Sequence, residues 1–357
     1  MATLSHAAFR RLIERFGGCD EFFGEMINAP SLVSGGPFES FYTEGAPAPE
    51  KLVRQLTGKD GRMMAAAAGA LCELEGLGID VNMGCSAPEI VKSGAGIAWM
   101  LKPMGETEGM VRAVKERLDD AAKADGVSRR LSVKLRLGAD DFTESAFFAF
   151  CDMLVGCGVE LLTLHPRTQK EKDRDAPRYQ YAEALAVRYE SAGVRVYVNG
   201  GIRNAEDACV LARACPHCAG LMIGQAAVQK PWIFAEIRRA LSEGDNVTDS
   251  GTRTEWAAGA GQNAPLSAAA FDATENTRSV DLLALALSFM EDLRRYQPEA
   301  FWKTRMQRFF SYYCKNLFFG NYLKGKLLHA SDMEEAARLL DAYFSRVQDD
   351  RFMRIAV

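Results

Sequence analysis

The sequence predicts an α/β protein, a TIM-type (β/α)8 barrel followed by a C-terminal helical domain. Two observations carry this prediction: short apolar runs typical of strands, and helical patterns between most of them. Such alternation indicates a parallel sheet, and this number of strands indicates a barrel. The runs are Phe22–Ile27, Leu52–Leu56, Gly78–Asn82, Leu131–Leu135, Leu161–His165, Val194–Asn199 and Gly220–Ile223.

These seven runs are one strand short of the usual eight. The segment before them is mostly an amphipathic helix, with Phe9, Leu12, Ile13 and Phe16 on one face. We therefore expect the first strand to be missing from this start and to lie upstream of Met1 in the native protein. An endogenous protein no heavier than this chain would contradict that expectation.

Composition limits the function classes. Of the 357 residues, 48% are apolar and 25% are charged, which fits a soluble globular protein. The net charge of -4 excludes a global attraction to nucleic acid, so RNA contact requires a local basic patch. The nine cysteines have no framework spacing, which predicts reduced thiols and a cytoplasmic protein. We expect no membrane span, because no apolar run reaches about 18 residues.

The third strand ends in a loop that carries Cys85. Gly84 gives this loop conformational freedom, and Pro88 prevents a quick return to the sheet. A thiol at the mouth of a strand is well placed for chemistry. A buried structural cysteine gives the same local pattern, because a free thiol behaves as a small hydrophobe.

Two later strands carry cationic or titratable side chains. Lys134 lies in the centre of an apolar strand, either in a core salt bridge or beside a ligand that becomes negatively charged. His165, one of only four histidines, ends the next strand, and Arg167 follows it. A lone histidine is often structural. The charged segment 169–174 is either a mobile lid or a solvated loop.

Polar and glycine residues follow the other strands. Gln55, near the end of the second strand, either contacts the edge of a ligand or is a polar strand terminus. The last two strands lead into Asn199-Gly200-Gly201 and Gly224-Gln225. Such glycines let backbone N–H groups approach a phosphate, which barrels usually bind after their seventh and eighth strands. A plain strand-to-helix turn is the alternative.

Cys215-Pro216-His217-Cys218 has the spacing of a redox motif or of half a zinc site. The sequence shows no second ligand pair. We therefore interpret this segment as a helix-to-strand connection and expect no bound metal.

The composition changes after the predicted barrel, 1–241. Gly, Ala, Thr, Asn and Asp dominate 242–279, which predicts a flexible linker or insertion. Residues 280–357 regain helical patterns. They contain a patch suited to phosphate backbones, although a solvated face over an aromatic core is the alternative. Its basic residues, accompanied by one acid, are Arg294, Arg295, Lys303, Arg305, Arg308, Lys315, Lys324 and Lys326.

Asn82-Met83-Gly84-Cys85, followed by Gly94-Ala95-Gly96, resembles the catalytic loop of the tRNA-dihydrouridine synthases. These are flavin enzymes that reduce uridine in tRNA. Lys134-Leu135-Arg136 resembles the Lys-x-Arg strand of the family, and His165-Pro166-Arg167 resembles its His-x-Arg motif. The motifs occur in the family's order over roughly 1–234.

The resemblance implies FMN as cofactor, NADPH as reductant and tRNA as partner of the helical domain. It implies hydride transfer to C6 of a flipped-out uridine, with Cys85 as the general acid at C5. Asn82 and Arg167 would orient the base. The residues that it assigns to the flavin are Gln55, Lys134 and His165 for the ring, and Asn199, Gly200, Gly201, Gly224 and Gln225 for the phosphate.

Two alternatives remain. One is another FMN barrel oxidoreductase acting on a small molecule such as dihydroorotate, against which the basic patch argues. The other is an RNA-binding protein that has lost catalysis, favoured by the absent first strand and by Gln225, where the family typically has arginine. We expect a monomer in either case.

Overall fold

The structure is a computed structural model that describes residues 3–245, 273–274 and 277–356. Its centre is a parallel sheet of seven strands in the order β1 to β7, and each strand coincides with one predicted run. This curled arrangement is that of a TIM-type barrel, so the predicted fold class is confirmed. The strands are β1 (Phe22–Asn28), β2 (Leu52–Thr57), β3 (Gly78–Met83), β4 (Arg130–Arg136), β5 (Leu161–His165), β6 (Arg195–Asn199) and β7 (Gly220–Met222).

Helices connect these strands and cover the outside of the sheet. Their ends follow capping rules: the Asp60 side chain, for example, accepts a hydrogen bond from the Met63 N–H at 2.9 Å. The helices are α1 (Ala7–Glu14), α2 (Ala29–Val33), α3 (Glu39–Thr43), α4 (Gly61–Cys72), α5 (Pro88–Lys92), α6 (Ala98–Leu101), α7 (Met104–Asp125), α8 (Glu144–Gly156), α9 (Gln180–Tyr189), α10 (Ala205–Ala214), α11 (Gln225–Gln229) and α12 (Ile233–Asp245).

Strand register brings polar side chains together inside the barrel. Gln55 is paired with Asp80, and Asn82 with Lys134. Because successive side chains point to opposite faces of a strand, the intervening apolar residues pack under the helices instead. The hydrophobic core therefore lies between the sheet and the helices, and the interior stays polar at the carboxyl ends of the strands.

The C-terminal part consists of helices and a small antiparallel sheet that pack on the barrel. α13 lies against α1, and α14 against α11. Arg305 of α14 forms a buried ion pair of 2.8 Å with Glu25 of β1. The elements are β8 (Ala273–Thr274), β9 (Thr277–Asp281), α13 (Leu282–Tyr296), α14 (Glu299–Tyr313), α15 (Gly320–His329), α16 (Met333–Arg346) and β10 (Phe352–Ile355).

Most of the predicted linker, 242–279, falls outside the described residues. At its ends, α12 continues to Asp245, and β9 begins at Thr277. Within the described part of the chain, no helix is both long enough and apolar enough to cross a membrane.

Candidate active site

A cleft of about 1910 Å³ lies at the carboxyl ends of the parallel strands. Residues along the two outer strands of the sheet, β1 and β7, also line it. The structure brings all the predicted site residues into this one cleft, although their roles remain predictions. These residues are Gln55, Asn82, Cys85, Lys134, His165, Arg167, Asn199, Gly200, Gly201, Gly224 and Gln225.

The loop after β3 holds Cys85 at the cleft with its thiol half-buried. The side-chain oxygen of Asn82 accepts hydrogen bonds from the N–H groups of Gly84, at 3.3 Å, and Cys85, at 3.0 Å. Gly96 adopts a φ of 63°, and a Cβ there would lie 2.6 Å from the Cys85 carbonyl oxygen. Only glycine fits this position without strain, so Gly96 allows the chain to pack closely against the loop that carries the thiol.

A buried network fixes the side chains beneath this loop. The Gln55 amide donates to the Asp80 carboxylate at 2.7 Å, and the Asn82 amide donates to Gln55 at 2.8 Å. Ser132 donates to the other oxygen of Asp80 at 2.7 Å. Burial raises the pKa of Asp80, and the hydrogen bonds from Gln55 and Ser132 act in the opposite direction. Both amides are thus oriented by neighbours within the barrel.

Lys134 projects into the cleft from β4. Its ammonium donates to the Asn199 side-chain oxygen at 2.9 Å, and the Asn199 amide donates to the Met222 carbonyl at 2.7 Å. Burial lowers the pKa of Lys134 to about 8, with Asp80 acting in the opposite direction. Its hydrogen-bond partner is neutral, so the core salt bridge considered from the sequence is not the contact that this lysine makes.

His165 and Arg167 lie side by side at the end of β5. The Arg167 guanidinium donates to Nε2 of His165 at 2.8 Å, which places the proton of a neutral imidazole on Nδ1. Burial, with the charges of Lys134, Arg136 and Arg167, lowers the pKa of His165 to about 2. The same guanidinium donates to the Asp175 and Asp173 carbonyls at 2.7 and 3.2 Å. Arg167 therefore holds the loop 169–175.

The glycine loop after β6 forms another wall of the cleft. Gly200 and Gly201 have φ angles of 101° and 80°, which favour glycine. A Cβ at Gly200 would lie 2.9 Å from Nε2 of His165, and one at Gly201 would lie 2.2 Å from the Tyr179 hydroxyl oxygen. The Tyr179 hydroxyl donates to the Gly200 carbonyl at 2.8 Å. A residue with a Cβ atom would therefore not fit at Gly200 or Gly201 without movement of these neighbours.

A family model described as dihydrouridine synthase matches residues 1–281 of the chain. The chain belongs to the dihydrouridine synthase family. This finding confirms the predicted family and the predicted enzyme class, an oxidoreductase.

Individual relatives agree. A probable tRNA-dihydrouridine synthase of Aquifex aeolicus is 31% identical over 242 residues, 67% of this chain and 71% of the relative. The tRNA-dihydrouridine synthase B of Pseudomonas putida is 28% identical over 69% of this chain and 68% of its own length. A tRNA-dihydrouridine(20/20a) synthase of Xanthomonas axonopodis pv. citri is 27% identical over 62% and 64%, respectively.

The sequence alone assigned no individual role to Arg136 or Asp173, both of which line the cleft. Arg136 donates to the Gly84 carbonyl at 3.2 Å and to the Thr168 carbonyl at 2.9 Å, so it connects the Cys85 loop to the loop after β5. Gln225 donates to the Asp173 carboxylate at 2.9 Å. A cation at the end of an apolar strand was the available signal for Arg136, whereas nothing local marks Asp173.

Proposed function

We propose that the protein is an FMN-dependent tRNA-dihydrouridine synthase that reduces uridine to dihydrouridine in tRNA, with NADPH as reductant. One observation carries the proposal: in a chain of this family, the half-buried Cys85 thiol shares a cleft with Lys134, His165 and Gly200. A thiol that faces a cationic, glycine-walled pocket suits proton donation to a base reduced there.

The residues of the cleft fit FMN. Gly200 and Gly201 place bare backbone in the wall of the cleft, where N–H groups suit a phosphate, and Lys134 offers a cation to the electron-rich side of a flavin. Lys134 and the Gln55 amide both line this cleft, a set of polar groups that suits the oxygen- and nitrogen-rich edge of a flavin ring. Reduced FMN would supply the hydride for C6.

The remaining chemistry belongs to the chain. The Cys85 thiol donates a proton to C5 of the uracil ring as general acid. Arg167 orients the base, which requires its guanidinium to leave the carbonyls of the loop 169–175. Asn82 acts as a positioning residue, since its amide already bonds Gln55 and its oxygen already holds the Cys85 loop.

Flavin affinity is expected to fall as pH rises through about 8, the pKa of Lys134. The protonated amine attracts the electron-rich edge of the flavin ring, and it is the form present below that pKa. Above the pKa the neutral amine must take up a proton on binding, so affinity falls by up to about tenfold per pH unit. Titration of FMN by fluorescence quenching measures this. Lys134→Arg, which stays charged, should show a flat profile, and an equal slope in that variant would contradict the assignment.

We assign tRNA contact to the helical part, 280–357. Arg305, counted in the basic patch by sequence, is only 1% exposed and pairs with Glu25, so it is not available to RNA. Exposed cations and aromatics lie elsewhere on this part: Arg308 and Lys315 line the cleft, and Phe318 and Tyr322 are 81% and 58% exposed. Exposed rings beside cations suit single-stranded bases and phosphates.

Charge reversal on this surface is expected to weaken tRNA binding and leave flavin binding unchanged. Lys324→Glu combined with Lys326→Glu, at two positions outside the cleft, should lower the affinity for tRNA about tenfold or more. The slope of log affinity against log salt concentration should become shallower by about 0.7 to 0.9 for each phosphate that is no longer neutralised. Filter binding over a salt series measures both effects. Lys123→Glu on α7, with a side chain 76% exposed, is the matched control. Equal losses of affinity in both proteins would mean that the contact is not local.

The decisive experiment is anaerobic reoxidation of the reduced protein by unmodified tRNA, followed at the flavin absorption band. We expect rapid return of the oxidised band with tRNA, and not with free uridine or orotate. Reoxidation by orotate would instead favour a small-molecule oxidoreductase. Failure to bind FMN would favour an RNA-binding protein without catalysis. The domain limits 1–241, 242–279 and 280–357, a monomeric state and a cytoplasmic location are parts of the same proposal.

A further inference from the structure

A cluster of potential metal ligands lies outside the set of residues that line the active-site cleft. The Sγ atoms of Cys215 and Cys218 and a carboxylate oxygen of Glu183 all lie within 4.8 Å of one another. Cys215 caps the end of α10, Cys218 follows in the connection to β7, and Glu183 projects from α9. The fold therefore adds a third potential ligand, Glu183, to the two cysteines of the Cys-x-x-Cys segment.

We propose that Glu183, Cys215 and Cys218 bind a zinc ion, with a water molecule in the fourth position. Zinc takes thiolate and carboxylate ligands at about 2.3 and about 2.0 to 2.2 Å in a tetrahedral arrangement. Ligand atoms in such a site are roughly 3.5 to 4 Å apart. The present separations therefore need only a small contraction around an ion. Paired thiolates favour zinc over magnesium or calcium, which prefer oxygen ligands.

The ligands are already oriented. Both oxygens of Glu183 contact His217: Oε1 contacts the imidazole Nδ1, and Oε2 accepts from the backbone N–H at 3.3 Å. The Cys218 N–H donates to the Cys215 carbonyl at 3.1 Å, which closes the turn between the two thiols. Both sulfur atoms are therefore held on one short turn, and the contacts with His217 hold the carboxylate of α9 against that turn. Little conformational entropy remains to be lost on binding, which favours affinity.

Exposure gives the ion a route to the site. Cys215 and Cys218 are 0% and 2% exposed, whereas the side chains of Glu183 and His217 are 22% and 46% exposed. The carboxylate thus separates the thiols from solvent. Two thiolates facing a carboxylate would repel one another without a cation, whereas a divalent ion compensates this charge. Two neutral thiols under a capping carboxylate are the competing interpretation.

The proposed ion would also support the phosphate wall of the active site. Glu183 lies one helical turn after Tyr179 and its N–H donates to the Tyr179 carbonyl at 3.2 Å, while the Tyr179 hydroxyl donates to the Gly200 carbonyl at 2.8 Å. A bound ion would fix the start of α9 against the turn before β7. Its binding does not depend on flavin or tRNA and can be measured separately from activity.

Cobalt substitution of the full-length protein tests the proposal. The protein is purified under reducing conditions, freed of metal with a chelator, and titrated with Co²⁺ and then Zn²⁺. We expect one equivalent of Co²⁺ to produce a thiolate-to-cobalt charge-transfer band and visible absorption of tetrahedral intensity, both abolished by Zn²⁺. Thermal denaturation should shift upward with Zn²⁺ concentration, because an ion that binds only the folded state stabilises it.

Variants locate the site. The double variant Cys215→Ser/Cys218→Ser should remove the charge-transfer band, because no thiolate of the site remains. Glu183→Gln, at a partly exposed side chain, should weaken zinc binding at least about tenfold while the fold persists. Cys209→Ser, on α10 but outside the cluster, is the matched control and should bind as the parent does. Absence of a charge-transfer band in the parent protein, or its persistence in Cys215→Ser/Cys218→Ser, would overturn the proposal. So would unchanged zinc affinity in Glu183→Gln.

Discussion

Replacing Cys85 by alanine is expected to lower the rate of dihydrouridine formation about 10²- to 10⁴-fold, the usual contribution of a positioned general acid. Flavin content should stay unchanged, because the Cys85 loop is held by backbone contacts to Asn82 and by the close packing of Gly96. The thiol is half-buried, so its removal costs little packing. Single-turnover mixing of the reduced variant with tRNA, with dihydrouridine counted by mass spectrometry, gives the rate.

Cys209→Ala is the matched control, since Cys209 is also half-buried and lies on α10, away from the Cys85 loop. It should turn over as the parent does. A Cys85→Ala protein that binds flavin and still forms product at the parental rate would remove the acid role from this residue. A variant that loses flavin would show instead that the thiol contributes to the pocket.

The local sequence contained enough information for the strands and for much of the cleft. An apolar run of strand length can be recognised from neighbouring residues alone, so all seven strands could be predicted from the sequence. Lys134 and His165 could be singled out because a cationic or titratable group in an apolar strand requires a partner or a ligand. Their position at the carboxyl ends of parallel strands then brings them together, since those ends form one rim of a barrel.

Contacts between distant segments could not be predicted in this way. Nothing near Glu183 indicates that α9 places it beside Cys215 and Cys218. The basic patch shows the same limit, because the count of charges could not distinguish a buried arginine from an exposed one. Arg305 occupies a buried position on α14, whereas Arg308, one turn later, is at the cleft.

Arg305→Met is expected to lower the free energy of unfolding by about 3 to 5 kcal/mol, the range found when one member of a buried ion pair is removed. Arg305 and Glu25 are 1% and 2% exposed, and Nη1 of Arg305 lies 2.8 Å from Oε2 of Glu25. The methionine would leave the Glu25 carboxylate charged, buried and without this partner. Urea denaturation followed by fluorescence measures the change, with Arg295→Met at an exposed position as a control expected to stay within about 0.5 kcal/mol.

The double variant Glu25→Gln/Arg305→Met separates pairing from packing. If the cost comes from an uncompensated charge, the neutral amide should recover most of the stability, since well-packed neutral replacements of buried ion pairs are often tolerated. If the cost comes from the guanidinium packing on the Phe301 ring, at 4.8 Å, the double variant should remain as unstable as Arg305→Met. In either case the folded Arg305→Met protein should bind tRNA with parental affinity, because this arginine joins the helices to the barrel and does not face RNA.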